Sequence, residues 1–166
     1  MIKYYFFSLF FLFSFCLQAQ ESLWVAFWNA DTTLVGYKDA NGQVKIQPKY
    51  AGHTAAAYFE HIMAVTESKG ESWLHYYVTK SGHTLGQDSL YIFDNAADCE
   101  SEGFIRFRDK KTDLAGMFNR NGQIVIPAVY NDLSRVNNGL VISLKNAVKE
   151  VFEGGEHYAY RGGQVA

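Results

Sequence analysis

Gly36-Tyr37-Lys38-Asp39-Ala40-Asn41-Gly42-Gln43-Val44-Lys45-Ile46-Gln47-Pro48-Lys49-Tyr50 decides how the rest of the chain is read. It returns as Gly116-Met117-Phe118-Asn119-Arg120-Asn121-Gly122-Gln123-Ile124-Val125-Ile126-Pro127-Ala128-Val129-Tyr130. Gly36/Gly116, Asn41/Asn121, Gly42/Gly122, Ile46/Ile126 and Tyr50/Tyr130 all stand 80 residues apart. A weaker copy, Tyr76-Tyr77-Val78-Thr79-Lys80-Ser81-Gly82-His83-Thr84, lies midway, so turn glycines fall at 42, 82 and 122. A fixed period of 40 residues is the mark of a repeat protein.

Each copy reads as strand, tight turn, strand. Asp39, Thr79 or Asn119 opens the turn and can accept a bond from the amide two residues on, while Gly42, Gly82 or Gly122 supplies positive φ. That chemistry suits a hairpin closed by a type I turn and a glycine bulge. Val44 and Ile46 alternate with Lys45 and Gln47, which predicts one apolar face on a half-buried strand; Ile124 and Ile126 repeat it. Pro48 and Pro127 are expected to end these strands, since proline cannot donate to a ladder.

Taken in order, Leu23–Trp28 reads as a short lead-in strand whose aromatics cap the first repeat. The first copy continues through a loop, Ala51 to Glu60, to a third strand at Ile62–Val65. The second copy starts at Trp73–Val78, is degraded after its turn, and recovers a strand at Gly103–Phe107. Copy three closes with Gly139–Leu144. The copies therefore run 34–72, 73–113 and 114–153, with a fourth, 154–166, expected as a hairpin cut off in mid-strand. Helix signals are scarce: a short turn within Ala51–Met63 and another in Asp132–Val136 are the most the sequence suggests.

The first residues stand apart. Lys3 is the only charge before Glu21, Tyr4–Leu17 is a nearly unbroken apolar run of 14 residues, and Ala19 offers a small residue for cleavage. This predicts a secretory signal peptide at 1–19, followed by one repeat domain at 20–166. The run is short of the roughly 20 residues a membrane span needs. Cys16 leaves lipid modification as an alternative. Cleavage after Ala19 leaves 147 residues, with 14 basic against 17 acidic side chains, a net charge of −3. A weakly acidic chain without a basic run argues against nucleic acid as a partner. Cys99 would be the only thiol remaining, so no intramolecular disulfide is expected and stability must come from packing.

The pattern Gly-Tyr-x-Asp-x-x-Gly-x-x-x-Ile-x-Pro-x-Tyr resembles the WG (also KWG) repeat, which is frequent in exported and surface proteins of Bacteroidetes-type bacteria. Gly36, Tyr37, Asp39, Gly42, Ile46, Pro48 and Tyr50 carry it first, then Gly116, Gly122, Ile126, Pro127, Tyr130, Gly139 and Leu140. The tryptophan of the pattern is replaced by Val35, His75 and Ala115, and Tyr76 stands in place of the second copy's glycine. The resemblance implies a repeat scaffold that binds something outside the cytoplasm, and carries no general catalytic activity.

Residues that could carry chemistry are few. His53, Glu60 and His61 are the nearest approach to a metal cluster, but the spacing fits no zinc motif and ordinary loop side chains are expected. His75, His83 and His157 are scattered. The acidic stretch Asp94–Gly103 places Ala96 where a calcium ligand should be, so it reads as a solvated loop. Cys99 has no basic sequence neighbour to activate it, and Glu100 and Glu102 would raise its pKa. Tyr37, Tyr50, Tyr77 and Tyr130 are expected to pack repeat against repeat. Trp73, Tyr76, Tyr91 or Tyr158 would be the aromatics free to stack on a glycan or peptide.

These readings predict an all-β fold of tandem antiparallel hairpin or meander repeats of about 40 residues. They are set in an open array, with a propeller-like closure as the alternative. The expected function is a non-catalytic exported scaffold for protein or surface-ligand binding; a carbohydrate-binding module is the alternative. No cofactor, metal ion or catalytic residue is expected, nor membrane insertion after cleavage. The address is periplasmic, cell-surface or secreted.

Overall fold

A computed structural model describes residues 23–93, 95–152, 154–155 and 157–166. The signal peptide expected at 1–19 and Cys16 lie outside the described residues. The described chain is all-β. A first meander joins β1 (Trp24–Trp28), β2 (Leu34–Lys38) and β3 (Val44–Ala51), with the short β4 (Tyr58–Phe59) laid against β1. A second joins β5 (Ile62–Lys69), β6 (Ser72–Thr79) and β7 (Thr84–Leu85). The small hairpin β8 (Ile92–Phe93) and β9 (Ala96–Ala97) precedes a third meander, β10 (Phe104–Arg108), β11 (Ala115–Asn119) and β12 (Ile124–Tyr130). After β13 (Asp132–Leu133) and β14 (Ser143–Lys145), the chain pairs β15 (Val148–Val151) with β16 (Tyr158–Arg161). The last strand, β17 (Gln164–Val165), pairs with β14 and not with β16, so Tyr158–Val165 is not the hairpin the sequence suggested.

The folding unit is thus a three-stranded meander that begins one strand earlier than the sequence copies. Trp24–Trp28 is the first strand of unit one, equivalent to Ile62–Lys69 and Phe104–Arg108 in the next two. The units are joined by a bridge that recurs with the same period: Tyr50 pairs with Glu67, and Leu90 with Phe107. At the third joint the Asn131 side chain takes over, accepting from the Ala147 amide at 2.8 Å and donating to its carbonyl at 3.1 Å. Units one and two form one curled antiparallel sheet, a half-barrel.

The turns form as their residues dictate. Asp39 Oδ1 accepts from the Asn41 and Gln43 amides at 2.9 and 3.0 Å, and Asn119 Oδ1 repeats both bonds at 3.0 Å with Asn121 and Gln123. Thr79 Oγ1 accepts the His83 amide at 3.2 Å. Gly42 and Gly122 have φ of 79° and 78°.

Gly36 and Gly116 have a different cause. A Cβ on Gly36 would lie 2.5 Å from the Ile46 carbonyl oxygen and 2.6 Å from Pro48 N; on Gly116, 2.5 Å from the Phe107 ring and 2.8 Å from Ile126 O. The register of β2 on β3 shifts there, and β11 on β12 shifts likewise, so a bulge presses the second strand onto the glycine. Pro48 and Pro127 sit inside these strands rather than ending them, because a bulge asks for no amide donor at that point. In unit two, Val78 pairs with Thr84 and Tyr77 with Leu85 without a shift, and Tyr76 stands where the glycine was. The bulge and the glycine are lost together. The alternation in β3 and β12 is only partly used: Ile46 and Ile126 are half-buried, while Val44 and Ile124 are exposed.

Three clusters fill the spaces between units. Val35, Tyr37 and Tyr50 of unit one pack on Met63, Val65 and Val78 of unit two, with Phe59 between them. The other faces of β5 and β6 offer Ile62, Ala64 and Tyr77 to Ile105, Phe107 and Phe118 of unit three. Ala115 and Met117 then meet Tyr91, Leu133 and Val136, with Tyr130 packed beside them. The unbroken apolar run Ile62–Val65 follows from burial of β5 on both faces. Tyr37, Tyr50 and Tyr77 are therefore inter-unit packing, as their recurrence suggested. The Tyr77 hydroxyl donates to Arg106 O at 2.8 Å and accepts the Tyr91 amide at 3.0 Å, and burial pushes its pKa far up. No helix occurs among the described residues; Ala51–Met63 holds a turn at 52–54 and then β4, and Asp132–Val136 opens as β13.

Two outcomes follow for stability. Gly36→Ala or Gly116→Ala should cost about 2–4 kcal/mol in urea unfolding, because the opposing atoms are backbone or buried ring. Gly70→Ala, where nothing lies within 4 Å, should cost about 1 kcal/mol through its positive φ alone. The Asp39 carboxyl is held below its ordinary pKa, first by the bond from Lys45 and then by the Gln43 and Asn41 amides; Asp109 is lowered first by the Thr112 amide. A lowered folded pKa gives stability that is present above the ordinary carboxylate range near pH 4 and lost as pH falls below it. Urea midpoints should therefore fall between pH 5 and pH 3, and less steeply in Asp39→Asn.

Candidate functional site

The acidic stretch is a clasp, not the solvated loop expected from composition. Asp98 is buried and accepts from Arg106 N, Nε and Nη2 at 3.1, 3.0 and 2.8 Å, and from Arg135 Nε at 2.8 Å. Arg106 Nη1 donates onward to Leu133 O at 2.7 Å, and its guanidinium lies 4.0 Å from the Tyr91 ring centroid. Glu100 Oε2 accepts the His61 and Ile62 amides at 2.8 and 2.9 Å, tying the start of β5. Glu102 accepts the Asn138 and Gly139 amides, both at 2.8 Å. Five residues of chain thus hold unit two's first strand, unit three and the 133–139 segment together. Cys99, exposed in this segment, has its thiol pushed up by desolvation, with Arg135 opposing and Asp98 adding. The direction agrees with the sequence reading, but crowding is the cause, and a basic neighbour exists in space.

Glu60, His61 and Glu100 place donor atoms within 4.8 Å of one another; His53 is exposed in its loop and is not among them. Besides the two amides, Glu100 holds His61 Nδ1 on Oε1 at 2.6 Å, so its carboxylate already serves as a structural clasp. His75 is bonded to Thr66 Oγ1 at 2.9 Å, and the backbone of His83 closes the second turn.

The four aromatics offered by the sequence do not form a row. Tyr91 is buried, its hydroxyl bonded to Asp132, which removes it from the candidates. Tyr76 bonds Glu67 and lines a cleft of about 390 Å³ with Leu74, Leu85 and Gln87, opened where β7 stops short. Trp73 is exposed at the far end of the β5–β6 hairpin, opposite Ser68. Tyr158 belongs to the largest cleft described, about 920 Å³, between the β8–β9 hairpin and β16.

Phe93, Asn95, Asp132, His157, Tyr158 and Tyr160 supply its aromatic and polar walls. Phe93 and Tyr158 are 68% and 40% exposed. Tyr158 and Tyr160 meet edge to face at 5.5 Å, and Lys149 Nζ sits 4.2 Å from the Tyr158 ring. The floor is rigid: Tyr160 donates to Asn131 O at 2.9 Å, and Asp132 Oδ1 takes bonds from Tyr91, the Leu133 amide and Arg108. Asp132 Oδ2 has no partner among the described residues. Exposed aromatic walls with a few polar groups suit a bound chain of sugars or peptide. Phe93 and Asp132 were missed, and Asn95 was read only as part of a solvated loop, because the hairpin that carries Phe93 and Asn95 breaks the repeat, so no periodic signal marks it.

The fold and its recurring joint define the class: a tandem β-repeat protein. Residues 116–146 match the family model described as WG containing repeat, a span from β11 to just past β14. No curated protein and no solved structure gave a significant match to the chain.

Asp98→Ala should lower stability by about 3–5 kcal/mol, since it strands the buried Arg106 guanidinium. Arg135→Ala, removing the exposed partner, should cost about 1 kcal/mol or less. Urea unfolding of both variants checks the order.

Proposed function

We propose that the chain is a non-catalytic, exported binding scaffold whose ligand seat is the cleft between the β8–β9 hairpin and β16. The observation that carries it is the aromatic wall itself: Phe93 and Tyr158 stand exposed over a floor fixed by Tyr160, Asp132 and Arg108. The buried aromatics of the repeats pack unit on unit, whereas these two belong to none of the buried clusters between units. The apolar start with Ala19 supports export, as does the likeness to repeats of exported Bacteroidetes-type proteins. The ligand is an extended protein segment or other surface chain. A carbohydrate is the second reading, favoured by the polar Asn95, Asp132 and His157 beside the rings.

Binding of the chain from Glu21 onward to peptide and glycan arrays, repeated with Tyr158→Ala and Phe93→Ala, tests this. Loss of each aromatic should weaken the selected ligand at least about tenfold while leaving the melting temperature within about 2 °C. Selection of one glycan class would decide for the carbohydrate reading. Binding that both variants retain in full would place the ligand elsewhere.

A further inference from the structure

The repeated turns meet. A Cβ on Gly122 would lie 2.9 Å from Leu85 Cδ2 and 3.5 Å from Thr79 Cγ2, so the third turn packs directly on the second. Between them is a cleft of about 390 Å³ lined by His61, Thr79, Lys80, Ser81, Arg120 and Asn121. Lys80 and Arg120 occupy the same position in successive turns, 40 residues apart; the first turn has Ala40 there. The 40-residue period thus brings two cations to one cleft.

Its two cations stand beside hydroxyl and amide groups that can donate. Arg120 is exposed, and its side chain makes no ion pair or hydrogen bond among the described residues; its Nη2 lies 2.9 Å from the point a Gly103 Cβ would occupy, so it rests across that glycine. The Asn121 side chain likewise has no hydrogen-bond partner among the described residues, its backbone amide being taken by Asn119. Thr79 Oγ1 and Ser81 Oγ share one hydrogen bond at 2.8 Å, and the Thr79 hydroxyl has the His83 carbonyl as a second acceptor at 3.4 Å; when Thr79 donates to Ser81, the Ser81 hydroxyl proton is left for a ligand. Lys80 lies with its Nζ 5.1 Å from the Trp24 ring. Among the described residues no carboxylate lines the cleft; the nearby Glu100 is held by His61 and two amides, and Glu60 is exposed beside it.

We propose that this inter-turn cleft binds an oxyanion, a phosphate, sulfate or carboxylate group, with Arg120 as the bidentate anchor and Lys80, Ser81 and Asn121 as further donors. The site is separate from the aromatic cleft and stands without it. A scaffold with both would hold an acidic ligand at two points.

The folded chain is titrated with inorganic phosphate, sulfate and glucuronate at constant ionic strength, following the backbone amide signals of Ser81 and Asn121. The expected result is saturable shifts at those amides, weakened about tenfold by Arg120→Ala and abolished by the Lys80→Ala/Arg120→Ala double variant. Because Ala40 already serves at this turn position and the Arg120 side chain makes no ion pair or hydrogen bond among the described residues, Arg120→Ala should keep the wild-type melting temperature. Response to phosphate and sulfate alone assigns a tetrahedral oxyanion; response to glucuronate alone assigns a carboxylate; both support the site. No saturable shift, shifts that chloride reproduces, or shifts undiminished in Arg120→Ala would overturn it.

Discussion

A three-stranded meander has two faces and nothing of its own to cover them, and this lack shapes the whole molecule. Unit two answers it most fully: Met63, Val65 and Val78 look to unit one, while Ile62, Ala64 and Tyr77 look to unit three. Removing either neighbour would open an apolar face. The joints Tyr50–Glu67 and Leu90–Phe107 set how far one meander swings against the next, and the same spacing makes the packing aromatics recur. Within this arrangement the buried polar groups are all bonded, from the Tyr77 hydroxyl to the Asp98 carboxylate, and no buried side-chain polar atom among the described residues lacks a partner.

What the repeat cannot supply comes from the segments that interrupt it. Between β7 and β10 the chain departs from the pattern, and there it forms the β8–β9 hairpin and the Asp98, Glu100 and Glu102 clasps. Asp98 binds across β10 to Arg106 and Arg135, Glu100 reaches back to β5, and Glu102 reaches forward to Asn138. The aromatic cleft rises on the same interruption. Regular repeats thus provide the packed stack, and the irregular stretch between them provides both the lock and the exposed Phe93 ring.

The sequence made the hairpins legible because turn chemistry is local: Asp39, Thr79 and Asn119 need only the next four residues. The packing tyrosines were legible through their period. Less visible was the phase of the unit, since pairing of Trp24–Trp28 with Leu34–Lys38 has no signature apart from apolarity. Pro48 and Pro127 misled for a specific reason: a proline inside a bulge looks, in sequence, like a proline ending a strand. The acidic clasps were hidden because their partners lie up to 39 residues away, as for Glu100 and His61, and a run of carboxylates reads as solvated until its donors are placed. Tyr91 was offered as a surface aromatic for the same reason: its cover, Leu133 and Val136, comes from a later segment. Of the candidate ligand seat, only His157 and Tyr158 were singled out beforehand.

Native-state hydrogen exchange most directly tests the claim that the units stabilise one another as a single stack. The central strands β2, β6 and β11 should share one high protection that falls together on adding urea, although unit two has the weakest repeat sequence. Exchange of β6 well ahead of β2 and β11 would show that unit two opens alone, and would contradict the mutual coverage on which the account rests.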